Sequence, residues 1–499
     1  MKILKRILLA LVLLILLAAG TVVLLVGPWP LYENAHFEET RYYGDALNAI
    51  KVASGGCDIG RPIHPLRAGW AERDITPPIG HPMAGYGGRT NDKRSTGVHE
   101  KLFVRALALS DGADTVVLLG TDMLQTLPNL LALVEARIQP TLKLDNRHIF
   151  YTSSHTHGGP GGLAPGMTAE FAYGAYAPDY VVLLADRFAE AITEAVNTMA
   201  PARFAHGAVD LPEFIRNRAR PNGVADTVLH FAAVEKLDTA QRLYVARYSA
   251  HATAYGEEMM AFHNDYAGAF QRAVQAQTGM PLLFMGGAVG AMAPHPPGTP
   301  QPRNHDEAMG FENDVESAMV RRGEKTVAQL LLDQEARIEA MGKAMADRLV
   351  AGMADLPFQE QVEVAGFAID YTPPPAQVRL FSPNWRVSPY LFNLLGVPTT
   401  GRMQFARIGD CFFAGMPHDF GGEISVAWQA WARERGAALW CTSFSGAYLG
   451  YLTPDEFYND ITGDIPYNQD YEVRQMNWFG PNQTAYTTAL FQHAFQHLR

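Results

Sequence analysis

From Ile7 to about Gly27 the chain carries no charged residue, and Lys2, Lys5 and Arg6 stand directly before that run. An apolar stretch of this length matches a bilayer's hydrocarbon core, which takes about 20 residues of helix to cross. A cleaved secretory signal has a shorter apolar region and a small-residue cleavage site; Ala18-Ala19-Gly20 is the candidate for one here. The reading adopted is an uncleaved anchor, residues 1–28, with membrane contact through residues 7–27. Basic flanks stay in the cytoplasm, so the chain after Trp29 is expected on the periplasmic or otherwise extracytoplasmic side.

Residues 29–66 read as a spacer, because Ser54-Gly55-Gly56-Cys57 has turn chemistry and Pro62 and Pro65 follow it. Folding is expected to begin near Ala68, with one body over 67–499. There, strand-like runs alternate with helical ones: a strand at 116–120, a helix at 129–138, a strand at 149–151. An amphipathic helix then repeats Val181, Leu184, Phe188 and Ile192 at helical spacing. This alternation predicts an α/β fold: a single large domain with mixed sheets and flanking helices, preceded by one transmembrane helix.

With 48% hydrophobic residues over 499 positions, the chain can build a large core. Residues 324–356 are rich in helix formers and predict one or two helices. Two Pro-bearing stretches, 294–316 and 371–400, break the rhythm and read as lids or binding walls, or else as disorder. A net charge of -11 with no basic run beyond the N-terminus argues against nucleic acid. Cys57, Cys411 and Cys441 are widely spaced, so no CxxC site exists and at most one disulfide can form. Cys411 and Cys441 sit in apolar runs and read as buried free thiols.

The segment richest in chemistry is Ile149-Phe150-Tyr151-Thr152-Ser153-Ser154-His155-Thr156-His157, followed by Gly158-Gly159-Pro160-Gly161-Gly162. Two histidines at i and i+2 leave one face if the strand persists, and the glycines let backbone and ligand approach closely. Such a pair is a metal or acid/base candidate; the alternative is two hydrogen-bonded histidines holding a loop. The segment resembles the histidine and glycine signature of the neutral ceramidase family, which hydrolyses the amide of N-acyl sphingosines with one zinc ion. Further landmarks follow the family's order: Ala68-Gly69-Trp70, Asp74-Ile75-Thr76-Pro77-Pro78, Ala84-Gly85-Tyr86-Gly87 and Gly97-Val98-His99. The resemblance runs from about 68 to 488.

It implies a site residue by residue. His155 would be one zinc ligand and His251, in Tyr248-Ser249-Ala250-His251, the second. Asp419, in Met416-Pro417-His418-Asp419, stands where the family has Glu, and Glu423 is the fallback. Tyr451, in Gly450-Tyr451-Leu452, would complete the shell. Tyr471, in Asp470-Tyr471-Glu472, would hydrogen-bond the substrate carbonyl. Arg218 matches an arginine near the active site, with Arg216 and Arg220 close enough to leave the register open. His157 would be the acid/base. Outside the resemblance, the tyrosines read as core or surface residues and the arginines as a solvated loop.

The sequence departs from the family where Ala291 and Ala293 replace an Asp and a substrate-contacting Ser. It also stops at Arg499, where relatives usually continue into an immunoglobulin-like domain. The implied activity is a zinc-dependent amidohydrolase (cofactor Zn2+) cleaving an N-acyl lipid or another small amide by zinc-activated water. The alternatives are a zinc hydrolase of esters or other linkages, and a retired envelope scaffold.

Overall fold

The computed structural model describes residues 2–28, 36–57, 60, 64–89, 91–145, 147–220, 222–300, 312–379, 385–459 and 471–499. Trp29, Pro62 and Asp470 lie outside them, as do 301–311 and 380–384 of the two Pro-bearing stretches.

Successive side chains of a strand point to opposite faces. In Thr115–Thr121, Val116 and Leu118 enter one core while Val117 and Leu119 enter another. The strand is therefore covered on both sides and belongs to an inner layer. Its sheet has eight strands in the order Leu282–Gly286, Arg242–Tyr248, Val228–Lys236, Ala200–Asp210, Arg67–Asp74, Phe103–Ser110, Thr115–Thr121 and Ile149–Ser153. The outermost pair at each edge is parallel and the inner pairs are antiparallel. A second sheet, Val364–Tyr371, Gly401–Ile408, Cys411–Gly415 and Ala438–Thr442, packs on it through Leu118, Phe150, Val245, Phe413 and Trp440.

Helices close both outer faces. Pro128–Leu142 and Pro178–Asn197 cover one half of the large sheet, and Asp265–Thr278 with Val327–Met353 covers the other. Gly422–Arg433 and Gln483–His497 cover the small sheet. The result is a helix–sheet–sheet–helix stack, the mixed α/β architecture expected. Val181, Leu184, Phe188 and Ile192 are all buried, and 324–356 contains one long helix started by a Thr326/Gln329 capping box.

The spacer reading of 29–66 needs correction. Arg41–Ser54 is a helix capped by Thr40, and its Ala46 and Ile50 are buried against the small sheet. Turn chemistry at 54–57 marks the end of this helix rather than the end of a linker. Among the described residues no disulfide joins any of the three cysteines. Cys411 faces the core between the sheets while Cys441 faces the helices, so the two thiols look away from each other.

Lys2–Leu25 is a helix exposed along its length, and among the described residues it is the one helix long and apolar enough to cross a membrane. Its end is tied down: Val26–Gly27 pairs antiparallel with Arg386–Val387.

Candidate active site

The site lies beyond the end of the edge strand Ile149–Ser153. The strand stops at Ser153, and His155 takes a left-handed backbone with φ 60°, a conformation uncommon outside glycine. The expected persistence of the strand therefore fails, yet both rings still converge, because the left-handed residue turns the chain back. His155, His157 and His251 have ligand nitrogens all within 4.8 Å of one another, and all three are buried.

Their hydrogen bonds fix the tautomers. His155 Nδ1 donates to Leu124 O at 2.8 Å and His251 Nδ1 donates to Val289 O at 3.3 Å. In neutral rings each Nε2 then carries a lone pair, yet the two Nε2 atoms are 2.9 Å apart. A metal ion could take both lone pairs. A proton on a ring is disfavoured: burial, with Arg218 adding to it, lowers His155 to about 3 and drives His251 well below its ordinary value. Burial and the neighbouring His155 hold His157 low as well.

Asp419 supplies a carboxylate. Asp419–Phe420 pairs parallel with Tyr451–Leu452, placing Asp419 directly opposite Tyr451. Its Oδ2 is 4.0 Å from His155 Nε2, and its buried Oδ1 has no hydrogen-bond partner among the described residues. Burial and nearby Glu472 push this carboxyl up to about 8, with Arg218 and Tyr451 opposing. Two imidazole lone pairs and an orphaned carboxylate oxygen are a donor set suited to zinc. Arg220 and Asn217 both donate to Glu423 Oε1, and Asp419 rather than Glu423 lines the cavity beside the histidines.

Of Arg218 and Arg220, it is Arg218 that reaches the two tyrosines. Its Nε donates to Glu472 Oε1 at 2.9 Å, and its Nη2 donates to Tyr451 Oη at 3.1 Å and Tyr471 Oη at 3.0 Å. Arg220 instead stacks on Phe457 at 3.8 Å. The Ala291–Ala293 segment supports the site through its backbone, since Ala291 O accepts from Arg218 N and Met292 O accepts from His251 N, both at 2.8 Å. Met292–Pro294 pairs with Ile215–Asn217, and the methyl of Ala293 is buried there. Ser153 accepts from Thr121 Oγ1 at 2.9 Å, and Ser154 donates to Asn264 Oδ1 at 2.5 Å.

A cavity of about 760 Å³ has His155, His157, His251, Asp419, Tyr451 and Tyr471 in its wall beside apolar Leu124, Leu127, Met167, Phe171, Val397 and Trp478. Residues 396–398 thus make part of the binding wall expected of the second Pro-bearing stretch. Sequence reasoning missed Phe444, stacked on the His155 ring at 3.9 Å, and the support Glu472 gives Arg218. Phe444 comes from an irregular segment and Glu472 from the short π-helical turn Glu472–Met476, both too short for a periodicity to flag them.

Residues 66–225 match the model of a family described as neutral/alkaline non-lysosomal ceramidase, N-terminal. Over that segment, about a third of its length, the chain is similar to the neutral/alkaline ceramidase family. The matched segment contains His155, His157 and Arg218; the fold brings His251, Asp419, Tyr451 and Tyr471 to them. Among solved structures, the chain is similar to neutral ceramidase from Pseudomonas aeruginosa, with a TM-score of 0.64 and 18% identity over 87% of this chain and 74% of that one. A ceramidase complexed with C2 gives a TM-score of 0.64 and 18% identity over 87% and 75%. At this identity the likeness concerns the fold. No curated protein matches the chain in sequence.

Proposed function

We propose that this chain is a membrane-anchored zinc amidohydrolase, its body outside the cytoplasm, that cleaves the amide of an N-acyl lipid with water as nucleophile. The observation that carries the reading is the facing pair of Nε2 atoms, 2.9 Å apart, with the orphaned Asp419 oxygen on the wall of the same cavity. His155, His251, Asp419 and Tyr451 would hold the ion. Bound there, zinc would supply Lewis acidity that brings the pKa of water down to about 7.

The chain's own groups do the rest. His157, neutral in its buried position, takes the proton of the attacking water and delivers it to the leaving amine. Arg218 and Tyr471 donate to the substrate carbonyl as negative charge develops on its oxygen, and Glu472 holds the Arg218 fork in place. No serine serves as nucleophile: Ala293 carries no hydroxyl, and the hydroxyls of Ser153 and Ser154 are hydrogen-bonded to Thr121 and Asn264. The apolar wall suits an acyl chain, and its volume falls within the range typical of small-molecule sites.

Purified full-length protein, assayed for bound zinc and for hydrolysis of an N-acyl lipid panel with matched esters, tests the reading. Bound zinc with amide cleavage and no burst of acyl-enzyme supports it. Protein without zinc that cleaves no amide would overturn it, and cleavage of esters alone would move the activity to an esterase.

A further inference from the structure

The cavity's mouth and the end of the membrane helix are built from the same short stretch of chain. Ser388 joins them. Its backbone N–H donates to the carbonyl of Leu25, the last residue of the apolar helix, at 2.8 Å. Its hydroxyl accepts from Leu391 N at 3.1 Å and so caps the short helix Pro389–Leu394. With Val26 paired to Val387, the span ends with no slack before this helix. A helix of 24 residues is about 36 Å long and crosses a hydrocarbon core of about 30 Å, which puts Leu25 and its partners at the bilayer surface.

The segment so placed is apolar and open. Tyr390 and Leu394 are 70% and 67% exposed and share a helix face at i and i+4, while Phe392 between them anchors the helix in the core. Val397 follows directly in the cavity wall. Across the mouth, Met167 and Phe171 are 77% and 70% exposed and also line the cavity, which locates them on its rim. Thr168, on the helix Met167–Tyr173 that carries them, donates to Leu395 O at 3.2 Å and ties the two sides of the rim together. Apolar side chains gathered on one rim are costly in water, and here they continue the line of a membrane span.

We propose that this rim is seated in the surface of the bilayer that holds the anchor, so that an acyl lipid passes from the leaflet into the cavity without crossing water. The occupant of the apolar rim is the bilayer itself, not a partner protein. The proposal rests on the anchored N-acyl hydrolase reading for its substrate, but its first test is independent of activity. Full-length Cys57→Ser protein would be placed in phosphatidylcholine vesicles with an environment-sensitive fluorophore on Leu394→Cys. The control is Leu332→Cys, 66% exposed on the helix layer covering the other sheet. Nitroxide-labelled phosphatidylcholine should quench the probe at 394 by about twofold or more and leave 332 unaffected, because interfacial side chains enter the acyl boundary by about 5–10 Å. Protein that stays with the vesicles but is unquenched at 394 overturns the docking and spares the anchor; protein that does not stay with them overturns both.

The second test changes the rim outside the cavity wall. Tyr390→Asp combined with Leu394→Asp should lower kcat/KM by about tenfold for a long-chain N-acyl lipid in vesicles, through lost interfacial burial, and leave a water-soluble short N-acyl amide unchanged. Equal effects on the two substrates would overturn the route from the leaflet. Wild type that cleaves neither substrate would overturn the hydrolase reading, while quenching still decides the docking.

Discussion

An imidazole that donates its Nδ1–H to a carbonyl keeps only Nε2 for a ligand, and His155 and His251 turn those atoms on each other. Removing either histidine should cost most of the bound zinc and the activity. His157→Ala should keep zinc and lose about a hundred- to ten-thousand-fold in rate, the usual worth of a general acid/base. Metal content read on the three variants decides this, and equal zinc loss in all three would mean that the histidines chelate as a trio. The carboxylates offer a sharper contrast. Asp419→Ala should lose metal, whereas Glu423→Gln should retain it and loosen only the Arg220 and Asn217 contacts. Zinc lost from the Glu423 variant and kept by the Asp419 variant would reverse the assignment. At this scale the His-x-His pair was plain in the sequence. The left-handed turn at His155 was not, because nothing in its side chain requires one.

Two-residue strands do much of the assembly: Asp419–Phe420 against Tyr451–Leu452 sets a carboxylate beside a phenol, although 32 residues separate them in sequence. Such bridges are too short to show alternation, which is why the long strands could be read and these could not. The small sheet, its covering helix and the large sheet meet at a buried ion pair. Arg247 donates to Asp226 and to Cys441 O, and Ser249, Ser425 and Gln429 complete the hydrogen bonding of Asp226. Asp226→Ala leaves a buried guanidinium without its counter-charge and should cost about 3–5 kcal/mol in thermal or denaturant unfolding. Burial raises the Asp226 pKa, but Arg247 and the other donors outweigh it and hold the carboxyl below its ordinary value. Its contribution is therefore complete above the unfolded value of about 3.9 and fades as pH falls through the folded one. The gap in stability between wild type and Asp226→Asn should accordingly be flat at neutral pH and narrow only in acid; a gap that narrows between pH 6 and 8 would show that another group controls it.

At the scale of the molecule, the alternation of strand-like and helical runs made the α/β class legible before any coordinate, whereas the four-layer stacking was not. What escaped was where the body begins. Arg41–Ser54 carries Tyr42, Tyr43, Ala46, Leu47, Ala49, Ile50 and Ala53 against the small-sheet core, but the turn and proline residues that follow it drew the expected boundary past it. Its burial makes a prediction that a spacer would not. Ile50 is fully buried against the small sheet, while Val52, two residues on, is exposed. If the helix is part of the body, Ile50→Ala should cost about 2–5 kcal/mol, as deletion of buried methyl groups does, and Val52→Ala should be silent within about 0.5 kcal/mol. Thermal unfolding of the two full-length variants measures the difference. Matching melting temperatures would mean that residues 41–54 only link the N-terminal apolar helix to the body; an Ile50 loss alone would mean that the apolar helix and the small sheet are coupled through residues 41–54 as well as through Val26 and Val387.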